Sequence, residues 1–176
     1  AKKVILATGS LERPLTFHNN DRPGIMLSHS AKHYAKNNAF LGKKIVLFTN
    51  NDYAYQAAID FNNLDSYNKV IVVDLRNNSK GSLVEKAKSL GIKILFNHIV
   101  TNTSGRKKIK TISIHKIDDK TSEIKSFYGT ISCDLLCVSG GWTPTVHLFT
   151  QSRGKLIFRE SDATFLPHKS FQNEIS

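Results

Sequence analysis

The stretch Ile131-Ser-Cys-Asp-Leu-Leu-Cys-Val-Ser-Gly-Gly-Trp-Thr-Pro-Thr-Val-His-Leu-Phe149 runs an apolar strand into paired glycines and a proline. Leu135 to Val138 carries no charge and is too short for a helix, so it reads as a strand buried on both faces. Gly140 and Gly141 remove side chains where a parallel strand ends, the place where open α/β sheets bind ligands. Glycine can take φ > 0 and lets backbone approach a dinucleotide closely. For an isolated Gly-Gly the plainer reading is a strand-ending turn. At the other end, Lys3-Val-Ile-Leu-Ala-Thr-Gly9 is a second apolar strand, closing on Ala7-Thr8-Gly9. Val4 to Leu6 and Leu135 to Val138 are expected side by side and parallel, with Gly42 to Thr130 inserted between them.

The 176 residues, 40% of them apolar, suffice for one good core, or for one domain and part of another. Ala1 to Leu6 reads as strand from the outset, so the chain is expected to be cut from something larger. No signal peptide is visible and no apolar run approaches the roughly 20 residues of a membrane span, which points to a cytoplasmic protein without a membrane partner. The only two cysteines, Cys133 and Cys137, sit on the Leu135 strand stretch. In extended chain they would lie roughly 13 Å apart, too far for a disulfide and without partners for zinc, so both are expected to be buried small residues. The formal charge of +11 is mostly scattered lysine. Its one dense cluster, Arg106-Lys107-Lys108-Ile109-Lys110, follows Ser104-Gly105 in a hairpin turn, with neither a recognition helix nor stacking aromatics. It reads as a solvated loop and no nucleic-acid partner is expected.

Two prolines and several turn formers make Ser10 to Met26 a connector. Ser28 to Asn37 reads as a short helix capped by Ser28 or Ser30, with Ala31, Tyr34 and Ala35 on one face. Then come the strand Lys43 to Thr49, a helix from Tyr53 to Leu64, the strand Val70 to Val73, a helix from Ser82 to Leu90 stopped by Gly91, and the strand Ile92 to Phe96. This is a βαβαβ unit with right-handed crossovers. From His98 the period changes to two, over Ile99 to Thr103, Ile109 to His115 and Ile124 to Tyr128, which predicts an antiparallel meander packed on the parallel strands. Past Phe149 the pattern weakens. The expected class is α/β: a Rossmann-like βαβαβ parallel sheet with an antiparallel β-meander, inserted into part of a second nucleotide-binding domain. The expected bounds are 1–27 for the end of the outer domain and its connector, 28–130 for the insertion and 131–176 for the return.

The loop Thr49-Asn50-Asn51-Asp52-Tyr53 stands where a dinucleotide fold places Gly-x-Gly-x-x-Gly, yet it has no glycine. Asp52 adds a negative charge at a helix start that otherwise favours anions, and reads better as an N-cap. Asp74 ends the second strand about where a ribose-binding acid belongs, or where a solvent-facing strand end would put one. The seven histidines are dispersed without metal-site spacing, and no serine sits in a nucleophile elbow. Catalytic and metal residues are therefore not assigned.

Four stretches carry a family likeness: Ala7 to Pro14, Asn20 to Met26, Phe48 to Tyr55 and Cys133 to Phe149. Their order resembles the two-dinucleotide-binding, pyridine nucleotide-disulfide oxidoreductase-like flavoproteins, and more closely the α subunit of heterotetrameric sarcosine oxidase. The resemblance implies an oxidoreductase acting on CH–NH donors. The complex would oxidise sarcosine to glycine, with the one-carbon unit released as formaldehyde or taken by tetrahydrofolate. It further implies FAD in the β subunit and FMN at the α/β boundary of the complete complex, β, γ and δ partner subunits, and NAD held by the α subunit in a non-hydride role. The family's N-terminal glycine fingerprint and C-terminal folate-type domain are absent here, so this segment alone would be inactive. Another FAD/NAD(P)-dependent oxidoreductase or amine dehydrogenase subunit, and a non-catalytic nucleotide-holding module, are the alternatives. The glycine distribution puts the nucleotide on the outer turns, where Thr8, Gly9, Gly140, Gly141, Trp142, Thr143, Leu148 and Thr150 are the candidate contacts. For Trp142 and Leu148 simple core filling is the competing role.

Overall fold

The computed structural model describes residues 4–37, 41–64 and 69–168. Its strands are β1 (Ser10–Glu12), β2 (Ile25–Leu27), β3 (Lys44–Thr49), β4 (Lys69–Asp74), β5 (Lys93–Phe96), β6 (His98–Ser104), β7 (Thr111–Ile117), β8 (Ile124–Ser132), β9 (Leu135–Ser139), β10 (Trp142–Pro144), β11 (Leu156–Arg159) and β12 (Thr164–Pro167). Its helices are α1 (Ser28–Lys36), α2 (Tyr53–Asn62), α3 (Ser82–Ser89) and α4 (His147–Gln151). The chain divides into two units, Ala1–Arg13 with Gly141–Ser176, and Pro14–Gly140.

The larger unit is built on a parallel sheet in the order β2-β9-β3-β4-β5. Because side chains alternate along a strand, each of these strands feeds two cores. Ile45, Leu47, Val70, Val72, Leu135 and Cys137 point to one face, where Ala31, Ala54, Ala57, Ala58, Phe61, Val84 and Ala87 of the three helices cover them. Small alanines let α2 lie close to the sheet. Val46, Phe48, Ile71, Val73, Leu136 and Val138 point to the other face, where Val100, Ile112 and Ile114 of the antiparallel sheet β6-β7-β8 close over them. The result is helices, parallel sheet and meander in three layers. The expected joining of the strands at Ile45, Val70 and Ile92 into one parallel sheet holds, and so does the period-two reading of Ile109 to His115.

Four expectations are corrected. Val4 to Leu6 does not flank Leu135 to Val138: both edges of β9 are taken, by β2 and by β3, and residues 4 to 9 form no strand. Ala1 to Lys3 lie outside the described residues. Strands β2 and β9 share one sheet with β3. Tyr34, set by spacing on the face of Ala31 and Ala35, is 52% exposed, while Ser28, Ala31 and Ala35 are the buried residues of α1. Neither Ser28 nor Ser30 caps α1: β2 runs straight into the helix, so Leu27 is the N-cap and Ser28 is already helical and buried. Finally, the cysteines do not share a strand. Cys133 lies in the turn between β8 and β9 and joins the meander-side core, while Cys137 joins the helix-side core.

The basic loop after β6 is held from below by Ile109, fully buried, whose amide donates to the Pro23 carbonyl at 2.9 Å, while Arg106, Lys107, Lys108 and Lys110 stay exposed. The smaller unit pairs β1 with β10 and β11 with β12, both antiparallel. The second of these hairpins escaped the sequence reading because three of the four residues of β11 are exposed and carry no alternating pattern.

Ile114→Ala should lower unfolding free energy by about 2–5 kcal/mol, whereas Tyr34→Ala should change it by less than about 0.5 kcal/mol, both read from urea unfolding curves. Burial and the Asp134 charge push the Cys133 thiol up to about 12, so native protein at pH 8 should resist iodoacetamide at this residue and urea-unfolded protein should not.

Candidate functional site

In the larger unit, the carboxyl ends of the parallel strands are where a doubly wound sheet would receive a ligand. The chain leaves β3 through Asn50, Asn51 and Asp52. Thr49 and Asn51 exchange bonds of 3.1 Å each way, and the Asn51 side-chain amide donates to the Ser139 carbonyl at 3.0 Å and to its hydroxyl at 3.2 Å. Asn51 Oδ1 accepts the Tyr53 amide at 3.0 Å, so Asn51 supplies the cap of α2. Asp52 was expected in that role, but it occupies the N-cap position with α-helical dihedrals and no side-chain cap bond. Its carboxylate instead takes Arg76 Nη1 at 2.7 Å and the Ser79 hydroxyl at 2.9 Å.

Asp74 is fully buried. Arg76 donates Nε to Oδ1 at 3.0 Å and Nη2 to Oδ2 at 2.7 Å, and the buried Tyr55 hydroxyl donates to Oδ2 at 2.7 Å. Asp74 is therefore neither a solvent-facing strand end nor a free acid aimed at a ribose. Burial by itself would lower the Arg76 pKa, but the bonds and charges of Asp74 and Asp52 outweigh it and hold the guanidinium above its ordinary value. Tyr55 is pushed up, first by burial and then by the Asp74 charge.

In the smaller unit, five of the candidate contacts line one two-stranded ribbon. Register sets Glu12 opposite Trp142, Leu11 opposite Thr143 and Ser10 opposite Pro144. The ribbon is extended by the Thr145 amide donating to the Gly9 carbonyl at 3.0 Å and by the Thr8 hydroxyl donating to the Thr145 carbonyl at 2.6 Å. Leu148 and Thr150 follow on α4, both exposed, and the Thr150 hydroxyl is spent on the His147 carbonyl at 2.8 Å. Gly140 is buried and closes the larger unit.

Gly9 and Gly141 differ in what surrounds them. At Gly9, φ is +68° and, its chain neighbours aside, no described residue lies within 4 Å of where a Cβ would stand. At Gly141, φ is +100° and a Cβ would meet Arg13 Nη2 at 3.0 Å. Arg13 is a residue the sequence reading passed over. Its amide donates to the Gly141 carbonyl at 2.9 Å, and its guanidinium to the carbonyls of Asp162 at 2.7 Å and Ala163 at 3.1 Å. Gly141 thus makes room for an arginine, and Gly9 leaves backbone open to an approaching group. Among the described residues no three His, Cys, Asp or Glu are grouped to hold a metal ion, and no helix is long and apolar enough to cross a membrane.

The fold is that of the Rossmann-like flavin- and nicotinamide-dependent oxidoreductases. Thioredoxin reductase of T. acidophilum superposes with a TM-score of 0.66 over 85% of this chain and 47% of its own, at 20% identity. No family model matches the chain. In sequence it is a relative of sarcosine oxidase subunit alpha, 33% identical to that of Corynebacterium sp. (strain P-1) and 35% identical to that of Corynebacterium sp. (strain U-96), each across 99% of this chain. The chain spans 18% of the length of these two relatives.

Removing the Tyr55 hydroxyl takes one donor from a buried carboxylate. Tyr55→Phe should cost about 1.5–3 kcal/mol in urea unfolding, and a cost below about 0.5 kcal/mol would show that Asp74 does not need it.

Proposed function

We propose that this chain works as part of the α subunit of a sarcosine-oxidase-type complex in the cytoplasm, with β, γ and δ partner subunits. The complex would oxidise the N-methyl group of sarcosine, giving glycine and a one-carbon unit that leaves as formaldehyde or is taken by tetrahydrofolate. The observation that carries this reading is identity of 33% and more across 99% of the chain to subunits of that name. The amine-oxidising FAD, and FMN, belong elsewhere in the complex, and no residue of this chain is assigned a part in the chemistry.

What this segment contributes is a place for NAD in a non-hydride role. The ribbon of residues 8–13 and 141–145, with α4, would be part of an outer nucleotide-binding domain. Gly9 fits such a ligand best, because its positive φ and the open space beside it leave backbone free to approach a phosphate or ribose. Thr8, Trp142 and Thr143 flank it with a hydroxyl oxygen, an indole and backbone. Gly140, Gly141, Leu148 and Thr150 complete the proposed contacts.

The test uses the full subunit in its complex. Gly9→Asn keeps a residue that tolerates φ > 0 but puts a side chain into the open space. NAD retention should then weaken by about tenfold or more, while Asn51→Ala should leave it unchanged. The reverse result would move the nucleotide to the larger unit. Oxygen uptake with sarcosine, proline and dimethylglycine in parallel measures the substrate half of the proposal, which fails if sarcosine is not turned over.

A further inference from the structure

We propose that Arg76 is a resident ligand of the larger unit: it fills the crevice at the carboxyl ends of β3 and β4 and determines that no dinucleotide enters there. This goes beyond the reading above and does not rest on where NAD sits in the other unit.

The crevice is built as a receptor for a guanidinium. Asp74, fully buried, presents both oxygens to Arg76, and Tyr55 holds one of them from behind. Asp52 takes the remaining Nη at 2.7 Å and is itself fixed by Ser79. A Cβ on Gly81 would come within 1.9 Å of Asp52 Oδ2, so the absence of a side chain at Gly81 lets the carboxylate settle against the backbone. Arginine suits this position because its planar fork can meet two carboxylates at once, which a lysine ammonium cannot do with the same geometry.

The same arrangement turns a dinucleotide away. Two carboxylates face one guanidinium, leaving the cluster net negative where a pyrophosphate would come to rest. The acid at the end of β4 has no acceptor site left for ribose hydroxyls, since each oxygen accepts two bonds from this chain, Oδ1 from the Arg76 amide and Nε, Oδ2 from Arg76 Nη2 and Tyr55. The Arg76 side chain is 30% exposed, so a small guanidinium can reach its place from solvent.

Chemical rescue in the full subunit tests this directly. Arg76→Ala should lower Tm by about 5 °C or more, and methylguanidinium at tens of millimolar should restore roughly half of the loss while methylammonium does not. An unchanged Tm, or equal rescue by both cations, would overturn the assignment. If Arg76→Ala does not accumulate as folded protein, Arg76→Lys carries the test: its Tm should fall by about 2 °C or more, and a wild-type Tm would overturn the proposal. Calorimetric titration of the wild-type subunit with NAD and NADP gives a second readout. Binding that survives Gly9→Asn and is strengthened by Asp52→Asn would put a nucleotide in the crevice and sink the proposal. Binding lost entirely with Gly9→Asn, with none remaining in the crevice, is the expected result.

Discussion

The larger unit depends on β9 being enclosed on all four sides. Leu135 and Cys137 face the helices, Leu136 and Val138 face the meander, and the backbone edges are bonded to β2 and β3. A strand in that position cannot carry a charge or shift register by one residue, because every side chain would move to the opposite core. The helix layer and the meander are held together through it: each packs on a face to which β9 contributes.

That constraint explains what was legible in the chain. A short run of Leu, Leu, Cys and Val has no alternation, and lack of alternation is itself the mark of a strand buried on both faces. The 3.6-residue spacing of Ala54, Ala57, Ala58 and Phe61 and the two-residue spacing of Ile112 and Ile114 are equally direct, since one face of each element is wetted. What the pattern could not give was the partner of β9. Val4 to Leu6 is the more apolar candidate, whereas the strand that pairs, Ile25 to Leu27, is three residues long and lies inside a stretch punctuated by proline and glycine. Strand pairing depends on which edge is free in three dimensions, and hydrophobicity along the chain carries little of that.

Arginines account for the rest. Arg13 and Arg76 each knit several backbone or carboxylate groups together, but residue type and spacing do not reveal those partners, and an arginine read singly in sequence looks like ordinary surface charge. Gly141 stands out in sequence as a residue without a side chain, but nothing in the sequence shows that the space beside it is taken by Arg13. Asp52 and Asp74 stood out as acids near a nucleotide crevice, and only the arginine two residues beyond Asp74 reveals that they hold each other in place through it. Long flexible side chains reach across topology that a linear reading does not contain.

The order of strands in the parallel sheet has a consequence for how the chain acquires its shape. Ile45 pairs with Leu135 and Leu27 with Val138, partners separated by about ninety residues or more of intervening chain. During synthesis β3, β4 and β5 can associate early, but the slot between β2 and β3 stays open until the meander has been made and β9 follows it. Such long-range closure is slow and leaves unpaired strand edges exposed meanwhile. The nascent protein therefore passes through a stage in which a two-sided apolar gap waits for its last occupant.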